Sequence, residues 1–270
     1  MSTTISAGLV KELRDATGAG MMDCKRALEE TGGDLEAART LLRERGMASA
    51  GKRAGRETTE GLVGFILDGN VGSIVGIGCE TEPVSKSDEV QEFATAVLRG
   101  IHADGPEAAD SFEEQRIELI AKLGENIVVV SPTRFDAPAG NVLSAYAHPP
   151  ANKIGVLVEL AGGTEDLARQ LAMHISFAAP EWTTRDDVPA DVLAAERSIY
   201  ENTDEVQSKP EAAREKIVDG MLNKRFFAAT PGGALVEQAW IHEPSKTVGQ
   251  ALADAGASVV RFVRISVAGS

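Results

Sequence analysis

Gly46-Met47-Ala48-Ser49-Ala50-Gly51-Lys52 has the Gly-x4-Gly-Lys spacing of a phosphate-binding loop. In such a loop backbone N–H groups hold the phosphates, the lysine neutralises them, and a following Ser or Thr holds Mg²⁺. Here Arg53 takes the place of that hydroxyl. The run also follows a helical pattern and enters a polar stretch, whereas a phosphate loop follows a strand and opens a helix. The spacing therefore does not carry nucleotide binding. Asn152-Lys153-Ile154-Gly155 begins like a guanine-reading Asn-Lys-x-Asp but lacks the Asp. His102, His148, His174 and His242 have no metal-ligand spacing with one another. Cys24 and Cys79 form no Cys-x-x-Cys pair, so neither a zinc site nor a disulfide framework is indicated. No Ser-His-Asp order and no framed carboxylate pair stands out. These residues point away from an enzyme, with no metal and no cofactor expected.

Two other segments are better suited to contact than to catalysis. Gly18-Ala19-Gly20 leads directly into Met21-Met22. Turns usually carry polar residues, and here a flexible, polarizable apolar pair opens a helix instead. Consecutive helical residues point about 100° apart, so one methionine is expected in the core and the other on the surface. In Gly78-Cys79-Glu80-Thr81-Glu82-Pro83-Val84-Ser85-Lys86 an apolar strand ends at Cys79 and two carboxylates, a hydroxyl and a proline follow. Such residues are common in a plain strand-to-helix connection. Pro83 should bias Glu82 toward extended backbone.

Composition limits the partners. The formal net charge is -14, so nucleic acid phosphates would be repelled and a basic protein surface attracted. No run of about 18 apolar residues exists to span a membrane. The start Met1-Ser2-Thr3-Thr4-Ile5-Ser6 lacks a leader pattern, and free thiols fit a reducing cytoplasm. Aromatic residues make up 4% of the chain, so the cores must be built from Leu, Val, Ile and Ala.

The elements that must position these segments follow from periodicity. Residues 1–55 read as a three-helix bundle with a linker. Val10 and Leu13, then Cys24, Ala27 and Leu28, then Leu35, Ala38, Leu41 and Leu42 mark three apolar faces. Asp34 is placed to cap the third helix and Gly46 to stop it, leaving 49–60 as a connector whose Lys52, Arg53 and Arg56 suit a solvated stretch or, as the alternative, docking against an acidic partner. Residues 56–140 read as an α+β subdomain: a hairpin about Asp68-Gly69-Asn70, helices near 88–103 and 111–123, and a strand at Ile127–Val130. Both faces of that hairpin are apolar, so a cover on each side is expected. Residues 141–270 repeat the theme with strands at 142–148 and 154–161, helices at 165–178 and 247–256, and a last strand at 259–267. Between them, 187–227 reads as an antiparallel helical hairpin. Its thin seam of Val192, Leu193, Ile199 and Tyr200 against Ile217, Val218, Met221 and Leu222 suits either a self-sufficient hairpin or one that buries itself in self-association.

The run Val10–Leu28 closely resembles the N-terminal signature of the elongation factor Ts family. The resemblance continues through Gly32–Gly46 and covers about residues 8–268. Lys122-Leu123-Gly124-Glu125-Asn126 resembles the family's Ile-Gly-Glu-Asn loop, and Tyr146-Ala147-His148 with Ile154–Val158 its strand pair. His174-Ile175-Ser176, Lys209-Pro210-Glu211 and Thr247-Val248-Gly249-Gln250 are also similar to family segments. There are two departures. The family's Thr-Asp-Phe-Val tip is here Thr81-Glu82-Pro83-Val84, and no C-terminal helical module is expected where the chain stops at Ser270.

The resemblance implies an α+β fold with an N-terminal ubiquitin-associated-like bundle. It implies a cytoplasmic, non-enzymatic guanine-nucleotide exchange factor that acts on elongation factor Tu in its GDP and nucleotide-free forms. Met21 and Met22 would dock on the GTP-binding domain. Thr81, Glu82, Pro83, Val84, Ser85 and Lys86 would disturb the Mg²⁺ and phosphate region, with Leu123 and Gly124 beside them. His148 would hold the remainder of the partner. Loss of the aromatic wedge at Pro83 leaves open a Tu-binding paralogue with weak or no exchange activity.

Overall fold

Ser6 and Asp34 set the ends of the N-terminal helices. The Ser6 hydroxyl accepts from Leu9 N at 3.2 Å and the Asp34 carboxylate from Ala37 N at 3.0 Å, each satisfying an N–H that the helix itself leaves unpaired. The computed structural model describes residues 5–268; Met1–Thr4, part of the start read for a leader pattern, and Gly269–Ser270, where the chain stops, lie outside the described residues. Helices α1 (Ala7–Thr17), α2 (Met21–Glu30) and α3 (Leu35–Arg53) close on Val10, Leu13, Cys24, Ala27, Leu28 and Ala38. Helix α3 does not stop at Gly46. Gly46 is buried where α3 crosses another helix, and a Cβ there would lie 3.4 Å from Ala121 Cβ and 3.6 Å from Ile117 Cγ2. Those are ordinary van der Waals contacts, so the helix runs on through a buried glycine that costs about 1 kcal/mol relative to alanine. The connector is thus shorter than expected. Arg56 is not free in solvent either: its Nη1 lies 3.3 Å from Glu80 Oε1.

The next segment runs β1 (Glu60–Asp68), β2 (Val71–Cys79), a single helical turn α4 (Glu82–Ser85), α5 (Asp88–Asp104), a 3-10 stretch Pro106–Phe112, α6 (Glu113–Leu123) and β3 (Ile127–Asp136). The β1–β2 register pairs Asp68 with Val71 across Gly69-Asn70, and β3 pairs antiparallel on the other side of β2. The side chains of β2 alternate between two buried faces. Val75 and Ile77 pack with Val90, Phe93, Val97 and Ile101 of α5, whereas Ile74 packs with Leu157 and Ile265 of a second sheet and with Val267 just beyond it. The two-sided cover expected from the apolar pattern is present.

The second sheet contains β4 (Asn141–Ala147), β5 (Ile154–Ala161) and, after helices α7 (Glu165–Ala178), α8 (Ala190–Glu201), α9 (Asp204–Gln207), α10 (Glu211–Met221) and α11 (Val248–Asp254), the strand β6 (Ser258–Ser266). Its order β4-β5-β6 copies that of the first sheet: a hairpin, then helices, then a late strand beside the middle one. Val156, Val158 and Leu160 face Ala168, Leu171, Ala172 and Ile175 of α7. At Gly155 the two sheets approach closely enough that a Cβ would lie 2.4 Å from Val63 Cγ1. The helical hairpin has a core of its own, with Val188, Val206, Val218, Met221, Leu222, Phe227 and Ala234 buried. Leu193 and Tyr200 join that core, but Val192 and Ile199 are exposed and not in the seam. Among the described residues no helix is long and apolar enough to cross a membrane.

Candidate functional surfaces

The tip is built by a crossing of two loops. Gly124, at φ 76°, ends α6 in the left-handed conformation and turns the chain toward β2. Glu125 then meets the end of β2: its Oε2 accepts from Glu80 N at 3.1 Å and Thr81 N at 3.0 Å, and its Oε1 from Thr81 Oγ1 at 2.5 Å. Glu80 answers by accepting from Asn126 N at 2.6 Å, and Asn126 Nδ2 donates to Arg56 O at 2.9 Å. From this base α4 projects with Glu82 and Pro83 exposed.

Two expectations for the tip are corrected. Glu82 is not extended; it is the first residue of α4, because Ser85 N and Lys86 N donate back to Thr81 O and Glu82 O, each at 3.1 Å. Proline fits this first turn, where its missing N–H has no partner to lose. Ser85 and Val84 are not free surface. Ser85 is buried with its Oγ donating to Glu82 O at 2.7 Å, and Val84 packs partly buried on the first core, as does Leu123. The side chains the tip presents are therefore Thr81, Glu82, Pro83 and Lys86. Lys86 Nζ lies 2.6 Å from Glu82 Oε1 and holds that carboxyl below its usual range.

Met21 and Met22 are 58% and 61% exposed, so neither serves the bundle core. Gly20 opens α2 without a side-chain cap, and the apolar face of α2 begins only at Cys24. Both methionines precede that face, which is why the expected division of one inside and one outside does not occur. The α1–α2 turn sits beside α6: a Cβ on Gly18 would lie 3.7 Å from Lys122 Cδ, and Lys122 pairs with Glu89 at 3.0 Å.

His148 follows the end of β4 on the surface, its Nδ1 3.0 Å from Tyr146 Oη. It borders a groove of about 500 Å³ lined by Tyr146, Ile154, Met173, Phe177, Ile241 and Arg264. Phe177 is 71% exposed, the most exposed large apolar side chain among the described residues. Sequence reading missed Phe177 and Ile241. A signal was present: Phe177 falls off the Leu171, Ala172, Ile175, Ala178 stripe of α7, an aromatic spent outside the core in a chain with few. Beneath the groove His174 is fully buried, stacked on Trp240, with Nε2 3.0 Å from Gln238 Oε1 and Nδ1 accepting from Ile241 N at 3.4 Å. Burial lowers its pKa.

The remaining candidates do not assemble. Gly46–Arg53 lies inside α3, where the N–H groups are already used by the helix. His102 pairs with Ser73, and His242 with Gln170 O. Cys24 and Cys79 are buried free thiols, and burial pushes the Cys79 thiol up to about 11. Among the described residues no group of three or more His, Cys, Asp or Glu is placed to hold a metal ion.

Fold and surface together define an α+β protein whose distinctive side chains stand outward in separate patches. The family model described as Elongation factor TS matches residues 80–269. Elongation factor Ts of Alkalilimnicola ehrlichii is 42% identical over 275 residues, covering 97% of this chain and 92% of that protein. The same-named proteins of Idiomarina loihiensis and Methylococcus capsulatus are each 41% identical, over 97% and 98% of this chain and 91% and 92% of theirs. The chain belongs to the elongation factor Ts family of translation elongation factors.

Proposed function

We propose that this chain is a guanine-nucleotide exchange factor that releases GDP from elongation factor Tu in the cytoplasm. The observation that carries this reading is the pairing of family membership over nearly the whole chain with a stiff polar tip set apart from two exposed apolar patches. Residues 1–55 would dock through Met21 and Met22, 56–140 would carry the tip, and 141–270 would hold the partner through His148, Phe177 and Ile241.

The energetics follow from linkage. A nucleotide bound at nanomolar affinity is stabilised by about 12 kcal/mol. A factor that hydrolyses nothing can remove it only by binding the empty GTPase better than the loaded one, and reciprocity then lowers its own affinity when nucleotide returns. Exposed apolar patches supply binding free energy, and the tip converts part of it into distortion at the nucleotide. Calorimetric titration of nucleotide-free and GDP·Mg²⁺-loaded elongation factor Tu tests the reading. Tighter binding to the empty form supports it; equal affinities refute it, because a ligand without preference shifts no equilibrium. The exposed Val192 and Ile199 support self-association through the helical hairpin, which sedimentation velocity would detect as a concentration-dependent dimer.

A further inference from the structure

We propose that Glu125 is the positioning residue of the exchange tip: it fixes the backbone at Glu80 and Thr81 before a partner arrives, and GDP release depends on that fixed geometry. This rests on the exchange reading above. Glu125 itself is not among the side chains the tip presents. It is partly buried at the α6–β3 connection and turns inward to the end of β2. Its carboxylate takes two consecutive backbone N–H groups and one hydroxyl, all charge-assisted bonds. The Thr81 hydroxyl would ordinarily cap the helix it precedes, but α4 has no side-chain cap; that hydroxyl is given to Glu125 instead. The contact is reciprocated. Glu80 holds Asn126 N, so each loop presents a carboxylate to the other loop's backbone. Arg56 adds a third strand of chain to the crossing.

Beyond this base, α4 is stiffened from within. Ser85 Oγ donates to Glu82 O, Ser87 Oγ to Val84 O at 2.8 Å, and Gln91 Nε2 to Ser85 O at 2.7 Å. Those bonds fix the shape of the turn but not its direction. Its direction is set where it leaves β2, and that is where Glu125 acts. A tip must be stiffer than the groups it displaces if docking energy is to reach them, so positional slack appears as lost rate more than as lost affinity.

Reach and charge separate the clamp from other roles. Glu125→Gln keeps the reach: its carbonyl oxygen can accept both N–H groups while its NH₂ donates to Thr81 Oγ1. Glu125→Asp keeps the charge but is one methylene too short. The full-length chain and both variants would be compared by amide hydrogen exchange and by release of fluorescent GDP from elongation factor Tu over a range of factor concentrations. The expected result is that Glu125→Asp exchanges the Glu80 and Thr81 amides faster and lowers the saturating release rate by about tenfold, because the shortened side chain leaves those N–H groups unheld. Its half-saturating concentration should move less than about threefold, and Glu125→Gln should keep most of the rate. A Glu125→Asp plateau equal to wild type overturns the proposal. So does the reverse ranking, with Gln impaired and Asp intact, which would mark a direct charge contact with the partner. A wild-type chain that leaves GDP release at its intrinsic rate, with both amides protected, instead refutes the exchange reading and the clamp's role in release with it.

Discussion

The tip and the groove beside His148 are opposite solutions to presenting a surface. At the tip the exposed residues are a threonine, two charges and a proline, and hydrogen bonds from two loops fix the backbone beneath them. At the groove the exposed apolar residues are Phe177 and Ile241, beside His148, and the backbone beneath belongs to α7 and to a segment tied to His174. The Met21-Met22 patch is of the second kind. The difference teaches a division of labour. Apolar area removed from water gives affinity without direction. A short polar element on a rigid base gives direction with little area. On this account affinity resides in the two apolar patches and release in the tip.

The comparison breaks most visibly at Phe177. Burying a Phe contributes about 1.5–3 kcal/mol, and an Asp in its place adds a desolvation cost. Phe177→Asp should weaken binding to nucleotide-free elongation factor Tu by roughly a hundredfold, as read by calorimetry, with thermal unfolding nearly unchanged because the side chain supports no core. Met21→Asp and Met22→Asp should each cost about tenfold, less than Phe177 because each side chain is smaller and shares its patch. A fall in unfolding temperature with either would mean that the methionines serve the bundle after all.

Pro83→Phe sharpens the other side of the comparison. Proline at the second position of α4 exposes little apolar surface, whereas a ring there could part packed side chains. We expect the saturating release rate to rise severalfold, about 1 kcal/mol or less of barrier, with a smaller change in affinity. A slower variant in single-turnover release would mean that the partner is shaped for Glu82-Pro83.

The smallest effect is a pH dependence under the groove. His174 is neutral in a buried site that lowers its pKa, so the unfolded chain binds more protons there than the folded one. Stability from this group is present above the unfolded value and is lost as pH falls from about 6.5 toward the folded value. A charged His174 would also set an Nδ1–H against Ile241 N–H, which now donates to that atom. Unfolding temperature should decline between about pH 7 and pH 5, and His174→Gln should flatten that decline. An unchanged slope in the variant would assign the decline to other groups.

Much of the fold was legible in periodicity. The β1–β2 turn at Gly69-Asn70, the span of α5 and the late strand β6 all follow from local pattern, because each is a regular element with its own apolar face. Gly46 reads as a helix stop because glycine commonly ends helices, whereas the packing that carries α3 past it comes from a helix some seventy residues away. The tip was legible as a segment and not as a geometry. Glu80, Thr81 and Glu125 lie 44 and 45 residues apart in sequence, and nothing local says that they exchange hydrogen bonds. Met21 and Met22 stand out in sequence, while Phe177 does not, since it stands within a helix whose other apolar residues, Met173 apart, pack into the core.

The division of labour is tested most directly by single-turnover release of fluorescent GDP from elongation factor Tu, measured over a full range of factor concentrations for wild type and Phe177→Asp. The account predicts a half-saturating concentration raised by roughly a hundredfold and a plateau within about twofold of wild type. A lowered plateau at an unchanged half-saturating concentration would contradict it.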